Sequence, residues 1–308
     1  MSLRIAVIGL GAWGSTLAEL FADRGHQVQS WSRRQGGAPE QVLDGADLAL
    51  IATSLAGVRE LIPALTPHWP AQLPLISCSK GLDLEQQCTP SQLWRRSLPE
   101  APILVLSGPN LAAELAQGLP AASVLAGNDQ AQAERLQHAL SSERLRLYTN
   151  SDPVGIEVAG ALKNVMAIAA GVCDGLELGA NAKASLLCRG LAEMGLVMEG
   201  LGGCVASLYG LAGLGDLLAT ANSSLSRNYR FGLALAEGCS RAQALERVGA
   251  TVEGASTADA VLGLAAVHHW HLPICEQVGA LMAGAITPAA AVRRLMERDL
   301  RPESLLLR

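Results

Sequence analysis

The chain reads as an α/β protein: a doubly wound, mostly parallel sheet domain followed by an all-helical domain. Short apolar runs alternate with helical patterns from Leu3 to Thr149, the first run ends in a glycine-rich turn that opens a helix, and past Asn150 the β-branched runs stop. The division predicts two domains, residues 1–150 and 151–308. Half of the 308 residues are hydrophobic, so a large core is available to both.

Leu3 to Ile8 is a strand-like run followed at once by Gly9-Leu10-Gly11-Ala12-Trp13-Gly14, then by a helical pattern from Thr16 to Asp23 closed by Gly25. In such a turn the first glycine permits the bend, the second lets backbone approach a pyrophosphate, and the third lets helix pack on strand. The helix N-terminus then faces the anion. This placement, after a strand and before a helix, predicts a Rossmann-like dinucleotide-binding domain. The next strand spans Gln27 to Trp31, where an NAD-specific domain usually carries an acid for the ribose hydroxyls; here Ser32, Arg33 and Arg34 follow instead. A guanidinium suits a 2′-phosphate, so NADP should be accepted beside NAD and NADPH preferred, with Arg33 meeting the cofactor. The plain alternative is that both arginines are solvated.

Only sixteen residues, Ser32 to Asp47, separate that strand from a third at Leu48 to Thr53, and Gly36, Gly37, Pro39 and Gly45 among them make a short crossover for one that must hold a helix. Then come a helix near Val58 to Leu65, strand Leu75 to Ser79, helix Pro90 to Arg96, strand Ile103 to Ser107, helix Leu111 to Gln117, strand Ala122 to Leu125, helix Gln130 to Leu140 and strand Leu145 to Thr149. Ligands of doubly wound sheets bind beyond the carboxyl ends of strands. Two such ends carry polar residues: Ser79-Lys80-Gly81 and Ser107-Gly108-Pro109-Asn110.

The second half opens with Gly155 to Gly171, GIEVAGALKNVMAIAAG, apolar on nearly every side yet carrying Lys163 and Asn164. Such a segment is a buried helix. An ammonium there must be solvated, paired or proton-exchanging. Either Lys163 snorkels to the surface, or the small neighbours Ala159, Gly160 and Ala167 leave room beside it for a ligand. Helices follow near Ala184 to Leu201, Arg230 to Ala236, Arg241 to Val248, Thr257 to His268, Glu276 to Ala283 and Ala289 to Met296, with two irregular stretches, Gly210 to Asp216 and Ser226 to Asn228.

The net charge is −5 and basic residues come only in short pairs such as Arg33-Arg34, Arg95-Arg96 and Arg293-Arg294, which argues against a nucleic-acid partner. The uncharged runs are broken by glycine or proline and predict no membrane span. The chain enters a strand at Leu3 without a basic leader, so a cytoplasmic protein is expected. Seven scattered cysteines without Cys-x-x-Cys spacing fit reduced core thiols. His268, His269 and His271 have no carboxylate or cysteine beside them in sequence, and a solvated helix end is preferred to a metal site.

In order, GLGAWG, SCSKG, SGPNLAAE, EVAGALKNVMAIAAG, GLAGLGD, SRNYRFG and VEG resemble the bacterial-type NAD(P)-dependent glycerol-3-phosphate dehydrogenases over nearly the whole chain. The resemblance implies reduction of dihydroxyacetone phosphate to sn-glycerol 3-phosphate for phospholipid synthesis, with Lys163 as general acid/base. It implies substrate contacts from Lys80, Gly108, Asn110, Lys163, Asp216, Ser226, Arg227 and Asn228. Cofactor contacts would come from Gly9, Gly11, Gly14, Trp13, Arg33, Lys80, Ala112, Arg227 and Glu253, and the assembly would be a homodimer. Ala12 stands where the family commonly has serine, Asn110 replaces a frequent serine or threonine, and the crossover after the second strand is short. Two other readings stay open: a β-hydroxyacid dehydrogenase or ketopantoate reductase, against which the SRN segment speaks, and a nucleotide sensor without turnover.

Overall fold

The computed structural model describes residues 2–299; residues 300–308, the end of the second predicted domain, lie outside the described residues. The chain divides into two compact units, one ending at Glu157 and the other starting at Val158.

The first unit runs β1 (Arg4–Ile8), α1 (Ala12–Asp23), β2 (Gln27–Trp31), β3 (Leu48–Ile51), α2 (Leu55–Leu65), β4 (Leu75–Ser77), α3 (Pro90–Ser97), β5 (Ile103–Ser107), α4 (Ala112–Ala116), β6 (Ala121–Gly127), α5 (Gln130–Leu140) and β7 (Leu145–Asn150). They form one seven-stranded sheet in the order β2-β1-β3-β4-β5-β6-β7. The central strands β3, β4 and β5 are buried at every position because both faces are covered. Ile5, Val7, Leu48 and Leu50 pack with α1 and α5 residues such as Phe21 and Leu136, while Ala6, Ile8, Ala49 and Ile51 pack with Val58, Leu61 and Trp94 of α2 and α3. The sheet order reverses around β1, so the crevice between the carboxyl ends of β1 and β3 is the place where such a sheet binds ligands.

Two details refine the sequence reading of a mostly parallel sheet with a short crossover. β6 runs antiparallel to β5 and parallel to β7. The β5–β6 connection holds only the five-residue α4, too little for a parallel crossover, so the chain turns straight back. The short Ser32–Asp47 crossover holds a 3₁₀ turn, Pro39–Leu43, instead of an α-helix, and still delivers Leu43 into the core.

The second unit continues α6 (Pro153–Gly175), which begins in the first, and adds α7 (Gly179–Gly200), α8 (Asp216–Ala221), α9 (Arg227–Ala236), α10 (Arg241–Val248), α11 (Glu253–His268), α12 (Pro273–Met282) and α13 (Pro288–Met296). α6 is long and apolar enough to cross a membrane, but its apolar window is 100% buried within the protein, as befits a core helix. Its packing on α9 is a backbone contact: a Cβ on Gly171 would lie 2.1 Å from the Tyr229 carbonyl oxygen, and one on Gly232 2.0 Å from that of Ile168. Several helices begin earlier than their apolar pattern. Arg227 and Asn228, read as irregular, form the first turn of α9, because the Ser226 hydroxyl accepts the Tyr229 N–H at 3.2 Å and caps it. The glycine-rich Leu211–Gly215 stretch winds as a π turn directly into α8, a helix the sequence pattern does not reveal. Of the cysteines, Cys78, Cys88, Cys173 and Cys275 are buried, Cys239 is half-buried, and Cys188 and Cys204 are exposed.

Candidate active site

In the first unit the glycine turn leaves β1 through Gly9, whose φ of +103° suits only glycine and whose N–H donates to the Trp31 carbonyl at 2.9 Å. A Cβ on Gly14 would sit 1.9 Å from the Gly9 oxygen, so the third glycine is required by the close approach of α1 to the strand end. Gly11 faces open space. As N-cap of α1 it offers no side chain to the first amides, and the first turn holds no acid. Uncovered N–H groups at a helix start, with room for a ligand against them, form an anion site. Trp13 is half-buried on the core. Burial pushes the Cys78 thiol up to about 12, with a Trp13 hydrogen bond and Lys80 pulling the other way, so Cys78 stays a neutral thiol.

The carboxyl ends of the neighbouring strands carry polar groups. Among the described residues, the buried Thr53, Ser79 and Ser107 hydroxyls, just past β3 and β4 and at the end of β5, have no hydrogen-bond partner. Buried hydroxyls of that kind are costly unless something bonds to them. Gly108 follows with φ +152°, Asn110 accepts the Ser123 hydroxyl at 2.6 Å, Lys80 follows β4, and Ala112 opens α4. Arg33 is exposed, and its guanidinium lies 3.2 Å from the Glu60 carboxylate. The open face of Gly11, the uncapped α1 start and the orphaned hydroxyls fit a dinucleotide, which Gly9, Gly11, Trp13, Gly14 and Arg33 would hold.

In the second unit Lys163 is only 6% exposed, which excludes snorkelling. Its ammonium donates to Asp216 Oδ1 at 2.7 Å and to Thr220 Oγ1 at 2.6 Å, and Thr220 donates to the same carboxylate oxygen at 3.1 Å. α8 makes this possible: Asp216 and Thr220 stand four apart, on one helix face. A buried ammonium held by a carboxylate and a hydroxyl is stabilised as a cation and aimed, the preparation a proton donor needs.

Beside it, the Asn228 amide donates to Asn164 Oδ1 at 2.8 Å, and Asn228 Oδ1 accepts the Gly254 N–H at 2.9 Å. Asn164 reaches Glu253 through a longer contact of 3.5 Å. The start of α9 is thereby tied to α6 and to the start of α11. Ser226 is buried and Arg227 is exposed, with no ion pair among the described residues. The structure thus joins Lys163 with Asp216, and Asn228 with Asn164 and Glu253. Sequence reasoning missed Thr220, since a hydroxyl one turn after Asp216 signals nothing until α8 is known. It also missed a bracket behind α9, where Asp174 Oδ2 accepts from Lys183 Nζ at 2.5 Å and from the Tyr229 hydroxyl at 2.7 Å.

The family models for the N-terminal and C-terminal parts of NAD-dependent glycerol-3-phosphate dehydrogenase match residues 4–40 with 37–133 and 152–293 of this chain. The chain belongs to the NAD-dependent glycerol-3-phosphate dehydrogenase family. A glycerol-3-phosphate dehydrogenase [NAD(P)+] of Synechococcus sp. (strain RCC307) is 57% identical over 98% of this chain and 100% of its own length. The crystal structure of the glycerol-3-phosphate dehydrogenase from Coxiella burnetii is 35% identical and superimposes with a TM-score of 0.90, covering 96% of this chain and 99% of that one. A ketopantoate reductase from Ralstonia eutropha, at 15% identity and a TM-score of 0.58 over 94% of this chain and 100% of that one, shares the fold alone. The glycerol-3-phosphate dehydrogenase family uses NAD(P).

Proposed function

We propose that the chain is an NAD(P)-dependent oxidoreductase that interconverts dihydroxyacetone phosphate and sn-glycerol 3-phosphate, supplying phospholipid synthesis in the cytoplasm, with residues 1–150 holding the nucleotide and residues 151–308 the substrate. The buried Lys163–Asp216–Thr220 cluster is the observation that carries the reading. When bound, the reduced nicotinamide supplies the hydride to the ketone carbon. Charge then develops on the ketone oxygen, where the Lys163 ammonium both stabilises it and donates its proton. Asp216 and Thr220 hold the ammonium through fixed hydrogen bonds, so little reorganisation is needed as the proton moves. Arg227, exposed at the start of α9, is the cation for the substrate phosphate, with Ser226 and Asn228 as neutral donors beside it. In this reading Lys80, Gly108 and Asn110 contact substrate; Lys80, Ala112, Arg227 and Glu253 also meet the cofactor. A homodimer is the default assembly for such an enzyme, which sedimentation would test.

Following reduced-nucleotide absorbance with dihydroxyacetone phosphate, using NADH and NADPH in turn, tests the reading. Turnover with the phosphorylated triose and none with dihydroxyacetone or ketopantoate is the expected result. Turnover with ketopantoate alone, or nucleotide binding without turnover on any of them, would sink it.

A further inference from the structure

The acid that an NAD-binding domain usually carries after its second strand is missing from this chain, yet the fold supplies a carboxylate at that place from another element. Arg33 stands two residues beyond β2, whose last residue, Trp31, pairs in register with Ile8 at the end of β1 and accepts the Gly9 N–H. Glu60, in the second turn of α2, brings Oε2 to 3.2 Å from an Arg33 guanidinium nitrogen. The next residue back, Arg59, is turned to other partners: its Nε donates to Asp83 at 2.7 Å, and Glu85 stands 3.8 Å from a second nitrogen. Among the described residues, Arg33 is therefore the cation within ion-pair distance of Glu60.

We propose that Glu60 sets the nucleotide preference by competing with the 2′-phosphate for Arg33; the inference rests on the reading that Arg33 meets the 2′ position. With a 2′-hydroxyl the Arg33–Glu60 pair stays intact. A 2′-phosphate, with a charge near −2 and three acceptor oxygens, must take the guanidinium from Glu60 and lie near a carboxylate. Both side chains are well exposed, 78% for Arg33 and 60% for Glu60, so the pair is weak and salt-screened. Its effect is a several-fold adjustment between two usable nucleotides. The short crossover makes the competition local, since Trp31 Nε1 donates to the Gly37 carbonyl at 3.0 Å and closes the loop that carries Arg33.

The test is equilibrium binding to the full-length protein, its Glu60→Gln and Arg33→Ala variants and the double variant. NADH and NADPH are titrated by nucleotide fluorescence, and 5′-AMP and adenosine 2′,5′-bisphosphate by calorimetry, at low and high salt. Glu60→Gln should raise the preference for the 2′-phosphorylated ligand of each pair about three- to tenfold at low salt and less at high salt. The rise should disappear when Arg33 is already alanine. If Arg33→Ala lowers the preference while Glu60→Gln leaves it unchanged, Glu60 has no such role and the Arg33 reading survives. A Glu60→Gln rise of the same size in the Arg33→Ala background overturns the competition. An Arg33→Ala variant with unchanged preference overturns the Arg33 reading and this inference with it.

Discussion

The half-site at the carboxyl ends of β1 and β3 is made of backbone amides and exposed side chains, whereas the half-site along α6 is made of buried side chains already paired with one another. At Gly11 the protein turns uncapped helix amides to open space, and Arg33 keeps an exposed guanidinium in a loose, solvated pair with Glu60. At Lys163 the charge has been taken out of water and matched with Asp216, whose side chain is 2% exposed. The first arrangement tolerates change, and the Ser32–Asp47 crossover, with a 3₁₀ turn in place of an α-helix, still delivers Leu43 to the core and carries Arg33. The second tolerates little, because removing any member takes a hydrogen bond from a buried charge.

That contrast is broken most severely at Asp216. Asp216→Ala takes the carboxylate away from a buried ammonium and should destabilise the protein by about 3 to 5 kcal/mol, read as a shift in urea midpoint. A loss below 1 kcal/mol would mean the cluster is not the tight buried pair described. Arg227→Ala attacks the exposed side of the same unit. The substrate Michaelis constant should rise about 10- to 100-fold, with stability unchanged, because the phosphate is charged in ground and transition states alike. Equal loss in turnover and no change in Michaelis constant would contradict its role.

Two buried carboxylates sharpen the comparison through pH. Glu157 accepts the Ser91 N–H at 3.0 Å and hydroxyls from Ser91 and Ser77, and Glu193 accepts the N–H groups of Ile274 and Cys275 at the start of α12. Burial pushes each up to about 7 against those hydrogen bonds. A carboxyl with a raised folded pKa binds its proton more tightly in the folded state, so its contribution is present below about 4.5 and is lost as pH rises towards 7. Between pH 5 and 7 the wild type should lose about 1 to 3 kcal/mol relative to a Glu157→Gln, Glu193→Gln variant. Parallel stability curves would show that the hydrogen bonds outweigh burial. The smallest effect belongs to Arg33→Ala, which should weaken NADPH by about 1 to 2 kcal/mol, leave NADH nearly untouched and not alter stability. Equal losses for both nucleotides would refute it.

How much of this was legible in the sequence follows the same division. The glycine turn was readable because every requirement in it is local: Gly14 is forced by Gly9, five residues back. Ile103–Ser107 and Gln130–Leu140 were placed to the residue, since a fully buried strand and an amphipathic helix write their period into the chain. The Lys163 helix announced a charge in an apolar setting, but neither Thr220 nor the choice between surface and interior was available. Both depend on α8, hidden in a glycine-rich stretch and 53 to 57 residues away. The direction of β6 and the start of α9 were missed for a related reason, being set by loop length and by the cap from Ser226. Glu157 carries no local signal in the sequence, as its donors lie 66 and 80 residues distant.

The central claim is that the Lys163 ammonium delivers the proton to the developing alkoxide, and chemical rescue tests it most directly. Lys163→Ala should lower the turnover number by roughly two to four orders of magnitude while substrate binding, followed by equilibrium titration, changes far less. Added methylamine should then restore turnover in proportion to its protonated concentration, because a free ammonium can enter the space that the side chain left. Undiminished turnover in Lys163→Ala, or a loss that small amines leave untouched in a variant that still binds substrate, would contradict the account.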